Sequence, residues 1–309
     1  MSSVTVPGVV DKDQPAATKA KVATGPGKEG NPAKAGWFTR VGLTVICFLW
    51  IVPMIGLFVT SWRTVDDANS TGWWTVFFKP SEWNFTTQNY HDAIIGGSLG
   101  QGFVNSFAIA LPATFIPLLF ASFAAYAFTF MEFKGRGVLF LGVVSLLVIP
   151  NYVAFVPLLK IYNKLGMGGT FQSVWLFHIA FGMPLAIYVL RNYMSTLPRT
   201  IIESAKIDGA SHYQTFFRLV LPMSTPALAS FAILQFLWVW NDLLVALVFI
   251  GPTDNAPVTV GLANLTGQQG QGWNLVTAGG CFSMIVPVIV FLALQRFFVR
   301  GMTAGAVKG

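Results

Sequence analysis

From Trp37 onward the chain alternates between long apolar runs and short polar intervals. A helix needs about 20 predominantly apolar residues to cross a bilayer. Six runs meet that length: residues 37–60, 103–130, 138–161, 171–193, 226–250 and 273–299. Several are longer than necessary, which allows tilt or a kink near Pro112, Pro117, Pro150, Pro157, Pro184 or Pro287. The pattern predicts an all-α membrane protein with six transmembrane helices. Residues 1–36, rich in Ala, Lys, Gly and Pro and without apolar periodicity, read as a disordered tail, and the first apolar run is too long for a signal peptide.

One interval differs in character. Leu197–Pro222, between the fourth and fifth runs, combines charge, capping residues and apolar side chains. Pro198 suits a first helical turn, Thr196 is placed to cap, and Gly209 suits the left-handed position after a helix from about Arg199 to Asp208. Ser211-His-Tyr-Gln214 has the form of a capping box for a second short helix, which Pro222 would stop before Thr225-Pro226 opens the next span. The reading is helix, glycine turn, helix. Such an amphipathic pair either lies back on its own bundle and the lipid surface or docks another protein.

Composition agrees with a membrane protein. The 309 residues are 54% hydrophobic, only 10% charged and 15% aromatic, with 10 Trp. The net charge of +7 is dispersed and forms no basic stripe for nucleic acid. Its distribution sets an orientation: Lys134, Arg136, four basic residues from Arg191 to Arg218 and three from Arg296 to Lys308 fall on one side, against Arg63, Lys79, Lys160 and Lys164 on the other. The positive-inside rule then places both termini and Leu197–Pro222 in the cytoplasm. The outer loop Ser61–Gly102, with Trp73, Trp74, Trp83 and Tyr90, reads as an interfacial cap or a docking surface, and Gly251–Gly272 shares either role.

Chemistry is sparse. Cys47 and Cys281 lie far apart in apolar runs and read as packed thiols. His91, His178 and His212 lack ligand spacing, so no metal is expected. No phosphate-binding G-x-x-x-x-G-K-[ST] loop occurs, and Gly25-Pro-Gly-Lys28 has neither its spacing nor its hydroxyl. No nucleophile–base pair stands out, so neither catalysis nor a cofactor is expected on this chain. Asp242 is the exception, because a carboxylate inside a span costs roughly 2.5–3.5 kcal/mol on insertion scales. With Trp238, Trp240 and Asn241 it would border a sugar pathway, or it makes a helix–helix hydrogen bond, or it sits near the outer interface.

Glu203-Ser-Ala-Lys-Ile-Asp-Gly209, nine further residues and Leu219-Val-Leu-Pro222 together resemble the EAA loop of ATP-binding-cassette importer permeases. Ser204 stands for the pattern's second alanine and Leu219 for its isoleucine. Phe103-Val-Asn-Ser106, Ala125-Tyr-Ala-Phe128, Phe133-Lys-Gly-Arg136, Trp240-Asn-Asp242 and the ending Phe298–Gly309 are similar to the same family, most of all to the smaller, six-span permease of maltose-type sugar systems. The resemblance covers nearly everything after Phe103. It implies a bacterial or archaeal plasma-membrane subunit that works with a second permease, an ATPase dimer carrying the ATP and Mg, and an external sugar-binding protein. It assigns ATPase docking to Glu203, Ser204, Ala205, Asp208, Gly209, Ala210, Phe216, Leu219, Leu221 and Pro222, with Glu203 pairing a basic residue of the ATPase. It adds a tail contact through Thr303, Gly305, Val307, Lys308 and Gly309. A glycerol phosphate permease is the adjacent reading. An ion-driven secondary transporter is disfavoured by the scarcity of intramembrane acids, and a membrane enzyme has no supporting constellation.

Overall fold

In a computed structural model of the chain, the structure describes residues 36–80, 83–265 and 272–306, with side chains through Gln295. Nearly all of the expected tail therefore lies outside the described residues. The chain divides into two compact units, Met1–Leu49 and Trp50–Gly309. The described part of the first is the opening half of helix α1 (Trp37–Ser61). The second unit is helical; among the described residues the only bridge between extended segments is Arg63 with Phe85.

Among the described residues, four helices are long and apolar enough to cross a membrane: α1, Leu99–Phe130, Phe171–Met194 and the stretch Trp273–Gln295. In chain order, the outer loop carries α2 (Val65–Ser70), a 3-10 turn (Trp73–Phe77) and α3 (Gln88–His91), which widens into a π turn over Asp92–Gly96. This loop folds back on itself. Asn89 Nδ2 donates to the carbonyls of Ser61 and Arg63 at 2.9 and 2.7 Å, and Asn274 Nδ2 donates to Asn89 Oδ1 at 2.7 Å.

Helix α4 (Leu99–Phe130) is the axis of the unit, packed along α7 and against α11. Its contact face is small: Ala110, Ala113, Ala121 and Ala125 are fully buried, so neighbouring backbones approach closely where lipid supplies no hydrophobic drive. The run expected as one span over 138–161 is instead two arms, Arg136–Val148 and Asn151–Lys164, bent by 89°. These contain α5 (Arg136–Ser145) and α6 (Phe155–Lys164). Pro150 is the cause: it has no amide hydrogen and pushes Ile149 out of the helical region, to φ −73 and ψ 119.

Helix α7 (Phe171–Met194) matches its expected run, and a polar hairpin follows, comprising α8 (Arg199–Ile207), α9 (His212–Thr215) and α10 (Leu221–Met223). The run expected over 226–250 is also divided, into α11 (Thr225–Trp240) and α12 (Leu244–Phe249). At the break, side chains take over backbone hydrogen bonds: Asn241 Nδ2 donates to Leu237 O at 2.7 Å, and Asp242 Oδ1 accepts from Val245 N at 3.0 Å. After α13 (Val258–Asn264), α14 (Trp273–Ala306) closes the chain.

Phe103-Val-Asn-Ser106 finds a structural role at the start of α4. Asn105 Nδ2 donates to the carbonyls of Asp254 and Ala256 at 2.7 and 3.0 Å, and Ser106 Oγ accepts from Val258 N at 2.9 Å. Gly102 lets the loop pass, since a Cβ there would stand 3.2 Å from Pro257 and Val258 backbone. Asn105→Ala is expected to strand two carbonyls and weaken this clasp by about 1–3 kcal/mol. Hydrogen exchange at residues 252–260 of the purified complex should quicken by roughly tenfold or more; unchanged exchange would contradict the clasp.

Candidate functional site: a capped hairpin and an intramembrane cavity

The polar hairpin is closed at every helix end that its turn exposes. Gly209 has φ +77, so Ala210 N reaches Ala205 O at 2.9 Å and Gly209 N reaches Lys206 O at 3.1 Å. These two bonds form a Schellman motif, satisfying the last carbonyls of α8. Across the turn, Ser211 Oγ accepts from Gln214 N at 3.3 Å while Ser211 N donates to Gln214 Oε1 at 2.9 Å. The capping box read from the sequence is present.

Two local expectations differ. Thr196 does not cap α8; its hydroxyl donates back to Tyr193 O at 2.7 Å, finishing α7, and Pro198 opens α8 without a side-chain cap. Pro222 does not stop the second helix either, which runs on to Met223 before a 71° bend into α11. The chain absorbs Pro222 by widening the preceding turn to a π turn over Phe216–Val220, in which Leu221 N donates to Phe216 O. That keeps the proline ring clear of the carbonyl it would otherwise strike.

The hairpin has an inner and an outer face. Ile202, Ala205, Thr215, Phe216 and Val220 are buried against the bundle. Phe216 stacks on Phe123 at 4.8 Å and meets Tyr126 edge-on at 5.3 Å. The Tyr126 hydroxyl and His212 Nδ1 share a 3.0 Å hydrogen bond. Phe216, expected among docking residues, therefore fastens the hairpin to α4, and Ala205, also expected there, is buried. Glu203, Ser204, Asp208, Gly209 and Pro222 are exposed, while Ala210, Leu219 and Leu221 are half-buried. Asp208, Gly209, Gln214 and Arg218 border an open concavity of about 350 Å³. Sequence reasoning passed over Ile207 and Tyr213, which are 86% and 71% exposed. The available signal was helical phase: Ile207 lies five residues beyond Ile202, so it faces away from the buried side.

The three intramembrane residues separate. Trp238, partly exposed, borders a cavity of about 460 Å³ with Asn151, Gly182 and Gln235. Asn241 is exposed. Asp242 is turned elsewhere: Oδ2 lies 3.5 Å from Nε2 of His178 on α7, and its carbonyl accepts from Thr259 Oγ1 at 2.8 Å. Asp242 thus lies in the break between α11 and α12 with its carboxylate toward His178. His178, fully buried, presents its ring to Trp238 at 5.1 Å and 87°. Neither His178 nor Gln235 stood out in sequence. Of the expected tail contact, Val307, Lys308 and Gly309 lie outside the described residues, and Thr303 and Gly305 belong to the closing turns of α14.

Among the described residues, the chain is a bundle of apolar helices, four of them long enough to cross a membrane, that carries a capped polar hairpin. Residues 117–304 match the family described as the binding-protein-dependent transport system inner membrane component, and the chain belongs to that family. It is 54% identical over 271 residues to the osmoprotective compounds uptake permease protein GgtD of Synechocystis sp., covering 87% of this chain and 91% of that protein. It is 52% identical over 231 residues to the alpha-glucoside transport system permease protein AglG of Rhizobium meliloti, covering 73% of this chain and 61% of that protein. Its fold is shared by a chain of a bacterial ABC transporter involved in the import of the acidic polysaccharide alginate, with TM-score 0.73, 19% identity, and coverage of 84% of this chain and 95% of that one.

The φ of +77 makes Gly209 the most sensitive point of the turn. A Cβ there meets no neighbour within 4 Å, so any cost is conformational. Gly209→Ala should cost the turn about 1–2 kcal/mol, and Gly209→Asn less. Faster amide exchange across 199–223 for Ala than for Asn is the expected result; equal exchange in both would contradict it.

Proposed function

We propose that this chain is the six-span permease subunit of an ATP-driven, binding-protein-dependent importer of sugars, with oligosaccharides the favoured solutes. Each divided helix contributes one crossing, and both termini and the hairpin face the cytoplasm. The partners are a second, similar permease, an ATPase dimer that holds the ATP and Mg, and an external sugar-binding protein. The carbohydrate class is supported by the relative named for alpha-glucosides. A relative named for osmoprotective compounds favours a second reading, import of another polar solute.

The observation that carries the proposal is the two-faced hairpin. Its outer face offers Glu203, Ile207 and Asp208 while its inner face is locked to α4 through Phe216 and Tyr126. A docked ATPase that closes on ATP would move this element as a block. The displacement passes to α4 through the aromatic contacts and to α11 through the bend at Ser224. A capped, packed pair of helices transmits movement that a floppy loop would dissipate. Glu203 pairs a basic residue of the ATPase, Ser204, Gly209, Ala210, Leu219, Leu221 and Pro222 shape the contact, and residues 303–309 add a tail contact.

Glu203→Ala is expected to lower ATP-dependent uptake by roughly tenfold or more, a loss matching one strong charge-assisted contact, and Gly209→Pro to lower it as much because proline cannot adopt the φ of +77, while the chain stays in the membrane. Uptake in proteoliposomes and ATPase co-purification would be measured together. Normal values of both in both variants would defeat the proposal.

A further inference from the structure

Both divided helices border the same cavity. The 89° bend at Pro150 redirects the second arm and places Asn151 at the corner. Gly182 on α7 leaves room for Gln235 of α11: a Cβ at Gly182 would lie 2.6 Å from Gln235 Nε2. Buried Gln235 donates to the carbonyls of Ala113 and His178 at 3.2 and 3.4 Å, which fixes its amide at the cavity wall. One turn on, Trp238 adds an aromatic surface, and apolar side chains complete a lining with no charged residue. A volume of about 460 Å³ is in the range of small-molecule sites.

The wall is neutral, aromatic on one side and amide-bearing on another. That chemistry suits a ligand with an apolar face and hydroxyl edges, because amides both donate and accept while an indole packs against C–H surface. A phosphate or carboxylate would find no cation here. Trp238 is held from behind: its ring meets the edge of His178, and His178 Nε2 faces Asp242 Oδ2 across 3.5 Å. Asp242 in turn accepts from Val245 N, so the break in the fifth span sets the position of the indole.

We propose that this cavity is a solute subsite on this chain, receiving one ring of a neutral, hydroxyl-rich solute. Trp238 packs on the ring face, Asn151 meets a hydroxyl, Gln235 Oε1 accepts from another, and His178 with Asp242 forms a positioning pair behind the indole. The proposal rests on the importer reading above and assigns the solute contact within it.

The test uses the assembled transporter in liposomes with its binding protein. The probe is whichever of maltose, sucrose, trehalose and glycerol 3-phosphate the unaltered complex carries fastest, read as solute delivered per ATP hydrolysed. Trp238→Ala should lower that ratio roughly three- to tenfold, and Trp238→Phe should restore more than half of it. Asp242→Ala should lower the ratio less, with rescue by Asp242→Asn, which keeps an acceptor for Val245 N and a polar neighbour for His178. If Trp238→Ala does not assemble, Asn151→Cys in a Cys47→Ser, Cys281→Ser background decides, with thiol labelling slowed by the carried sugar. An unchanged ratio in Trp238→Ala, no rescue by Trp238→Phe, labelling indifferent to the sugar, or glycerol 3-phosphate as the preferred solute would each overturn the subsite. Glu203→Ala separates the two claims. It should depress ATP hydrolysis and uptake together, and if it leaves both intact the importer reading fails rather than the cavity.

Discussion

Phe216 sits between Phe123 and Tyr126 and fixes a polar hairpin to an otherwise apolar bundle. Removing a buried Phe side chain costs about 3–5 kcal/mol, whereas losing a helix cap costs about 1 kcal/mol. The aromatic contacts therefore decide where the hairpin sits, and the caps decide its shape. The Tyr126–His212 hydrogen bond adds direction, since a hydrogen bond constrains orientation in a way that packing alone does not. With position and shape fixed separately, Glu203, Ile207 and Asp208 are carried at the surface by a rigid base.

A second constraint acts inside the membrane-spanning region. Backbone groups there must be satisfied within the protein, so each interruption of a helix needs its own partners. At Pro150 a proline removes a donor and the chain turns through 89°. At Asn241 and Asp242 the side chains supply the missing bonds, and Asp242 also reaches His178. The first interruption places Asn151 on the cavity that Gln235 and Trp238 of α11 also line, one turn before the second interruption. The same logic explains Gln235, whose amide is occupied by two carbonyls and adds no stranded donor to the core.

The sequence was most legible where local chemistry acts alone. Gly209 at the turn, the Ser211–Gln214 box and the limits of the α8 helix all follow from rules that operate over four or five residues. The four uninterrupted helices follow from apolar length. Divided helices were less legible: Pro150 was marked as a kink site, yet the size of the bend depends on what the second arm packs against. The site suffered most from unread phase. Ala205 belongs to the motif and Phe216 to the nine residues inside it, yet both are buried, because their place on the helix relative to Ile202 and Val220 decides burial. Asp242 was recognisable as costly, but its partner His178 lies 64 positions away in the chain and only the fold brings them together.

The central claim is that the outer face of the hairpin docks a separate ATPase while its inner face does not. Crosslinking from single cysteines tests it most directly, using Ile207→Cys on the exposed side and Phe216→Cys on the buried side of the assembled transporter. A photoactivatable thiol reagent on Ile207→Cys is expected to join this chain to the ATPase, with a yield that changes when ATP binds, and Phe216→Cys is expected to give no such product. Crosslinking to the ATPase from Phe216→Cys but not from Ile207→Cys, or from neither, would contradict the account.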